Sequence, residues 1–226
     1  MRKIAVTLVV VLSMATGSVS AGDIWKLFGC NRGIEGSGDM ETQTRDVKPF
    51  SRIKSTGSFD IFVKIGGEQS VTVTFDDNLI EFVSTRVRGK TLQIESEESF
   101  SSRRGCRIEI TVPELTSVHL SGSGDVEVID LNQEFFEYSV SGSGDLRAEG
   151  KVQEIEIKVS GSGDIDSRDL EAVDAYVRVS GSGDVRVYAT ESLDAHVSGS
   201  GDIAYYGDPK DVSRHVSGSG SIRKRK

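Results

Sequence analysis

Proline, cysteine and histidine are scarce in this sequence, and each scarcity excludes something. Three prolines in 226 residues do not make a Pro/Gly-rich disordered chain. Two cysteines and three histidines leave little material for a zinc or redox centre. Basic residues are outnumbered, 27 Lys and Arg against 35 Asp and Glu, for a net charge of −8. That balance excludes a general phosphate-backbone binder, so no nucleic-acid partner is expected. Apolar runs are short as well. The one that stands out, Ile4 to Met14, follows Arg2 and Lys3 and precedes Thr16-Gly17-Ser18-Val19-Ser20-Ala21. A basic start, a short apolar run and small residues at the cleavage site form the secretory signal pattern, and the run cannot span a bilayer. The sequence therefore predicts a signal peptide over 1–21, an N-terminal segment over 22–34 and one domain over 35–226, in a protein exported to the periplasm, the outer surface or the medium of a bacterium.

Cys30 has two readings. Leu27-Phe28-Gly29-Cys30 looks like a lipoprotein box, which would tether the chain to a membrane, but Asp23 and Lys26 separate it from the apolar run. The preferred expectation is a Cys30–Cys106 disulfide formed in an oxidising compartment.

What the chain has in excess is glycine, 25 residues, and the glycines recur in order. Ser-Gly-Ser-Gly-Asp starts at Ser121, Ser141, Ser160, Ser180 and Ser198, and Ser-Gly-Ser-Gly-Ser starts at Ser217, in steps of 20, 19, 20, 18 and 19 residues. A fixed period of this size means stacked supersecondary units that bury their apolar faces against one another. Around each motif the apolar residues keep one parity, as in Ile155, Ile157, Val159 and Ile165, or Ala175, Val177, Val179, Val185 and Val187. Period two is the mark of a half-buried strand. Copies of one strand at constant register stack into a parallel sheet, and the short period closes it into a solenoid. The expected fold is all-β: a right-handed parallel β-helix (a β-solenoid) of about 19 residues per coil, the hand following from crossover preference. Its regular rungs run over 116–223, with less regular N-terminal coils.

Parity also distributes the motif. Gly122, Gly124, Gly142, Gly144, Gly161, Gly163, Gly181, Gly183, Gly199 and Gly201 fall on the inward parity, where missing side chains mark a close approach of walls or a sharp bend. Ser121, Ser123, Asp125, Ser141, Ser143, Asp145, Ser160, Ser162, Asp164, Ser180, Ser182, Asp184, Ser198, Ser200 and Asp202 fall on the outward parity, as a repeated surface. Two residues beyond the motif Asp, Glu127, Arg147, Asp166 and Arg186 alternate in sign, as adjacent rungs require. His119, Ser139, Lys158, Arg178, His196 and His215 form another outer column.

In the first half, Gly36-Ser37-Gly38-Asp39 is an outlying motif copy and Thr56-Gly57-Ser58-Phe59-Asp60 a degenerate one. Ser70 to Phe75, Thr91 to Ile94 and Cys106 to Val112 alternate like strands. Asp76-Asp77-Asn78 and Arg88-Gly89-Lys90 are expected turns, and Glu95 to Gly105 an exposed loop.

These residues resemble a known family. Arg45 to Ile53, Asp76 to Ile80, Thr91 to Ile94, Val112 to Leu115 and the Ser-Gly-Ser-Gly-Asp rungs are similar, block by block, to the bacterial auto-transporter adhesin head domain, also called the head GIN domain. The resemblance covers about Gly36 to the C-terminus. It implies a β-helical, exported, often membrane-anchored protein with a surface-binding role, and brings no catalytic residues with it.

The chemistry left open is ionic or adhesive. The Asp column could collect Ca²⁺, which favours several oxygen ligands, or each Asp could accept hydrogen bonds from serine or backbone groups at a bend. His196 and His215 lack the fixed carboxylate that would complete a metal site, so no metal ligands are assigned, and no cofactor is expected beyond that calcium alternative. An enzyme needs a singular constellation, whereas these acids are spread one per rung. The expected function is an exported, non-catalytic scaffold for a surface or glycan ligand, able to form oligomers and meeting a membrane only if Cys30 is lipidated. The alternatives are a carbohydrate-active β-helix lyase or hydrolase, and a purely structural envelope protein.

Overall fold

The computed structural model describes residues 33–226; the expected signal peptide, Cys30 and nearly all of the segment 22–34 lie outside them. Hydrophobic alternation becomes strand throughout. The chain begins with β1 (Ile34–Glu35), β2 (Met40–Thr44), β3 (Arg52–Thr56), β4 (Phe59–Ile65) and β5 (Ser70–Asp76). After a short 3-10 turn come β6 (Val83–Arg88), β7 (Thr91–Ser96), β8 (Phe100–Ser101) and β9 (Cys106–Val112). The repeats supply β10 (Ser117–Leu120), β11 (Val126–Val140), β12 (Leu146–Val159), β13 (Ile165–Val179) and β14 (Val185–Val197). The last coil is built from β15 (Ile203–Tyr206), β16 (Asp211–Val216) and β17 (Ile222–Lys224).

β10 to β17 stack in parallel as a β-solenoid, each strand pairing with the next coil's copy. Val126 pairs with Leu146, Leu146 with Ile165, Ile165 with Val185, Val185 with Ile203 and Ile203 with Ile222. Constant register puts like side chains above one another inside, as in Val118, Tyr138, Ile157, Val177 and Ala195, each at most 1% exposed. Emptying one large slot in such a core costs about 2–5 kcal/mol. The column from Glu127 through Arg147 and Asp166 to Arg186 is in register as expected, although the close ion pairs lie elsewhere, between Arg147 and Asp169 at 3.3 Å and between Arg168 and Asp166 at 2.6 Å.

The first half departs from a simple succession of coils. β3 and β4 lie directly beneath β10 and β11, so that Thr56-Gly57-Ser58-Phe59-Asp60 is the lowest true copy of the corner. β7 and β9 then lie beneath β3 and β4. The coil formed by residues 91–112 therefore sits below the one formed by residues 52–65, and spatial order reverses chain order. β5, β6 and β2 add antiparallel edges to this end. The polar stretch Glu95 to Gly105 is not all loop: its β8 pairs with β1, and the Phe100 ring packs edge-on against Phe75 at 4.9 Å. Gly36-Ser37-Gly38-Asp39 does not join the corner stack. The Gly38 N–H donates to Asp76 Oδ1 at 2.6 Å and the Ser37 N–H to Asn78 Oδ1 at 2.9 Å, which fastens the segment to the β5 turn.

Candidate functional site

The repeated corner is a stack of glycines. In the five Ser-Gly-Ser-Gly-Asp copies the second glycine is buried and the first half-buried. An ideal Cβ built on Gly161 would come within 1.9 Å of the Gly142 carbonyl oxygen, and one on Gly163 within 2.0 Å of the Gly144 carbonyl oxygen. The obstacle is therefore the same corner of the coil below, not the opposite wall. Glycine is required because the corner backbones stack in contact, and the Ser143, Ser162, Ser182 and Ser200 N–H groups bond to the first-glycine carbonyl beneath at 3.0 Å.

The aspartates complete that stack. Where the chain turns, the Asp N–H finds its acceptor in the side chain of the Asp one coil below. Asp145 donates to Asp125 Oδ1 at 3.0 Å, Asp164 to Asp145 at 2.7 Å, Asp184 to Asp164 at 2.8 Å and Asp202 to Asp184 at 2.8 Å. Asp60 begins the ladder beneath Asp125 at 3.2 Å. At its upper end the Ser221 N–H and hydroxyl both donate to Asp202 Oδ1, at 2.7 and 2.9 Å. In the last motif Ser221 stands where the earlier copies have Asp. One oxygen of each Asp is thus committed to the fold, as a side chain replacing a backbone acceptor. Ser121, Ser160 and Ser180 repeat the theme with hydroxyls that donate to carbonyls of the coil below at 3.2–3.3 Å. Among the described residues no three His, Cys, Asp or Glu side chains converge as a metal cluster.

A groove of about 520 Å³ runs along the ladder. Asp60, Asp125, Asp145 and Asp164 line it together with Arg107, Arg147 and Arg186, and half-buried Phe62 contributes an aromatic surface. Glu127 and Asp166 complete nine charged residues among thirteen in the lining. The Asp166 carboxyl is held below the usual carboxylate range, first by its hydrogen bonds from Arg168. Arg186 makes no ion pair among the described residues. Its lining residues come from six successive coils, which at ~4.8 Å per coil is a length of roughly 24 Å. Sequence reasoning found the Asp column but took Arg147 and Arg186 only as evidence of register, and it missed Arg107 and Phe62. Their signal was position: Arg147 and Arg186 stand two residues past the motif Asp on the outward parity, Phe62 holds the equivalent place below them, and Arg107 lies beneath Asp60 at the foot of the Asp column.

The other candidates are separate. His196 and His215 stack with ring centroids 5.7 Å apart, and His196 Nε2 lies 2.9 Å from Asp194 Oδ1. Cys106 is 1% exposed on the inward face of β9, and burial pushes its thiol up to about 12. Cys30 lies outside the described residues, so only this half of the expected disulfide is placed.

Known proteins repeat this architecture. A crystal structure described as a "putative adhesin" from Bacteroides fragilis NCTC 9343 is 26% identical with a TM-score of 0.66, covering 85% of this chain and 100% of its own. A "putative lipid binding protein" from Parabacteroides distasonis ATCC 8503 is 26% identical with a TM-score of 0.57, covering 85% of this chain and 99% of its own. A search of curated proteins gave no match. The family described as "Putative auto-transporter adhesin, head GIN domain" matches residues 49–209, most of the chain and all the stacked corners but the last. With the motif blocks, the stacked coils and this match in agreement, the chain belongs to the head GIN domain family.

Proposed function

We propose that the protein is an exported, non-catalytic scaffold of the bacterial surface or envelope, and that the groove along the Asp ladder binds an extended glycan. The observation that carries this reading is the composition of the groove. Carboxylates and guanidinium groups alternate along it at coil spacing, and both are suited to hydrogen-bonding hydroxyl groups. Phe62 offers an apolar face beside them. The adhesin description of the family supports surface binding. The lipid-binding description of one relative fits this groove less well, because charged residues dominate its lining.

The groove does bring acids and arginines together, as a glycan-cleaving β-helix would. The ladder argues against that use. Each carboxylate repeats the role of the one below it and spends an oxygen on backbone, whereas a catalytic acid must be singular and aimed at the scissile bond.

The test is a glycan array probed with the wild-type protein and with an Arg147→Ala/Arg186→Ala double variant. Binding to a subset of extended glycans is expected, reduced about tenfold or more in the variant, with unchanged thermal unfolding. Equal binding by both proteins would refute the groove, and shortened glycans would establish cleavage instead.

A further inference from the structure

The two ends of the solenoid differ in a way that the groove does not explain. Among the described residues nothing covers the core at the β16 end. β16 continues the inward column of Leu193, Ala195 and Val197 with Val212, Arg214 and Val216, and all six of its residues are exposed. Val212 and Val216 are 39% and 43% exposed, against 1–2% for Leu193 and Val197 below them. Among the described residues β16 pairs only with β14 and β17 only with β15, so one edge of each carries unpaired backbone groups. Edges of this kind recruit another strand. This end is also basic. Residues 207–226 hold six Lys and Arg against two Asp, in a chain whose net charge is −8. Arg223, Lys224, Arg225 and Lys226 lie there, and among the described residues only Lys224 is engaged, by Asp208 at 2.6 Å.

At the other end of the same wall lies β2, which among the described residues pairs only with β5. It is antiparallel to β5, which is antiparallel to β9, so β2 runs in the same direction as β9, β4, β11 and β17. Glu35, Asp39, Glu41 and Asp46 on and beside it are exposed, with Arg45 as the sole cation of residues 33–46. A copy moved along the solenoid axis therefore brings an acidic edge to a basic one, with the strands parallel.

We propose that the protein stacks head to tail through these ends, the β2 edge of one copy lying against the β17 edge of the next. The contact uses two different surfaces and does not close on itself, so it generates a chain of copies rather than a dimer. A tail-to-tail pair is disfavoured because it would oppose two sets of basic residues. The inference is independent of the groove, which lies on the side of the solenoid.

The experiment is light scattering of the purified protein over a concentration series. At about 0.01 M salt, where charges act over ~30 Å, the mean mass should rise with concentration; at about 1 M salt, where they act over ~3 Å, it should fall towards the monomer. A tail variant with Arg223, Lys224, Arg225 and Lys226 each changed to Glu, and a head variant with Glu35→Lys, Asp39→Lys and Glu41→Lys, should each stay monomeric alone and assemble when mixed. Recovery in the mixture would also show that both variants are folded. A wild-type protein that is monomeric throughout, a tail variant that assembles alone as the wild type does, or a mixture that stays monomeric would overturn the proposal.

Discussion

Valine in place of Gly163 will destabilise the protein by about 4 kcal/mol or more, among the largest effects a single substitution produces. Even the first added atom has nowhere to go. A Cβ at this position stands 2.0 Å from the Gly144 carbonyl oxygen, and that oxygen belongs to backbone, which cannot swing aside as a side chain would. Relief requires the two coils to separate at the corner, which stretches the Ser162 N–H bond to Gly142 and the Asp164 N–H bond to Asp145. Gly161→Ala should behave similarly, its Cβ meeting the Gly142 oxygen at 1.9 Å. Ser162→Ala, at an exposed position between them, should change stability by less than about 0.5 kcal/mol. Urea unfolding of the three variants checks this; wild-type midpoints for the glycine variants would show that the corners do not stack in contact.

Removing the Asp76 side chain should cost about 2 kcal/mol or more, because buried donors would be left unpaired. Asp76 is 1% exposed at the end of β5, where it accepts a 2.5 Å hydrogen bond from the Ser102 hydroxyl and one from the Gly38 N–H. It ties the N-terminal segment and the Ser102 loop to the same turn. These bonds, that from Ser102 first, hold its carboxyl below the usual value. A depressed carboxyl stabilises the fold fully above its unfolded pKa, and that contribution disappears as pH falls through the folded one. Wild-type stability should therefore fall in the acid range below the ordinary carboxylate value, and Asp76→Ala should lack that component while starting lower at neutral pH. Paired denaturation curves from neutral to acid pH test both. Parallel curves with a constant offset would assign the acid loss to other groups.

The regular half of this fold was legible because period-two parity and a constant step determine both the strand and its partner. Once Ser141, Ser160 and Ser180 recur at matched spacing, the pairing of Leu146 with Ile165 follows. Alternation also revealed β5, β7 and β9, but it cannot name a strand's partner. Nothing in Thr91 to Ile94 says that it lies under Ile53 rather than over it, so the reversed coil order was hidden. β8 was hidden for another reason. It is two residues long, set in a polar stretch, and ordered by contact with β1 and by Phe100 against Phe75.

For the site, parity sets the Asp column on the outward side and is silent on its engagement. Whether a carboxylate faces solvent or the N–H of the next coil depends on how the backbone turns at the corner, and period two is silent on a turn. The same applies to the inward glycines, whose neighbour proved to be the coil below. The groove was out of reach because Arg107 and Phe62 come from coils stacked out of chain order.

The most direct test of the account is the affinity of the protein for one glycan type prepared at increasing length, measured for the wild type and for single Arg107→Ala, Arg147→Ala and Arg186→Ala variants. A groove of equivalent coils gains contacts as the ligand spans more of them. Affinity should therefore rise with length to a plateau near the ~24 Å of the groove, and each single variant should lower it by a similar factor of a few. Affinity independent of length, or complete loss on one substitution while the others have no effect, would contradict the account and indicate a single localised site.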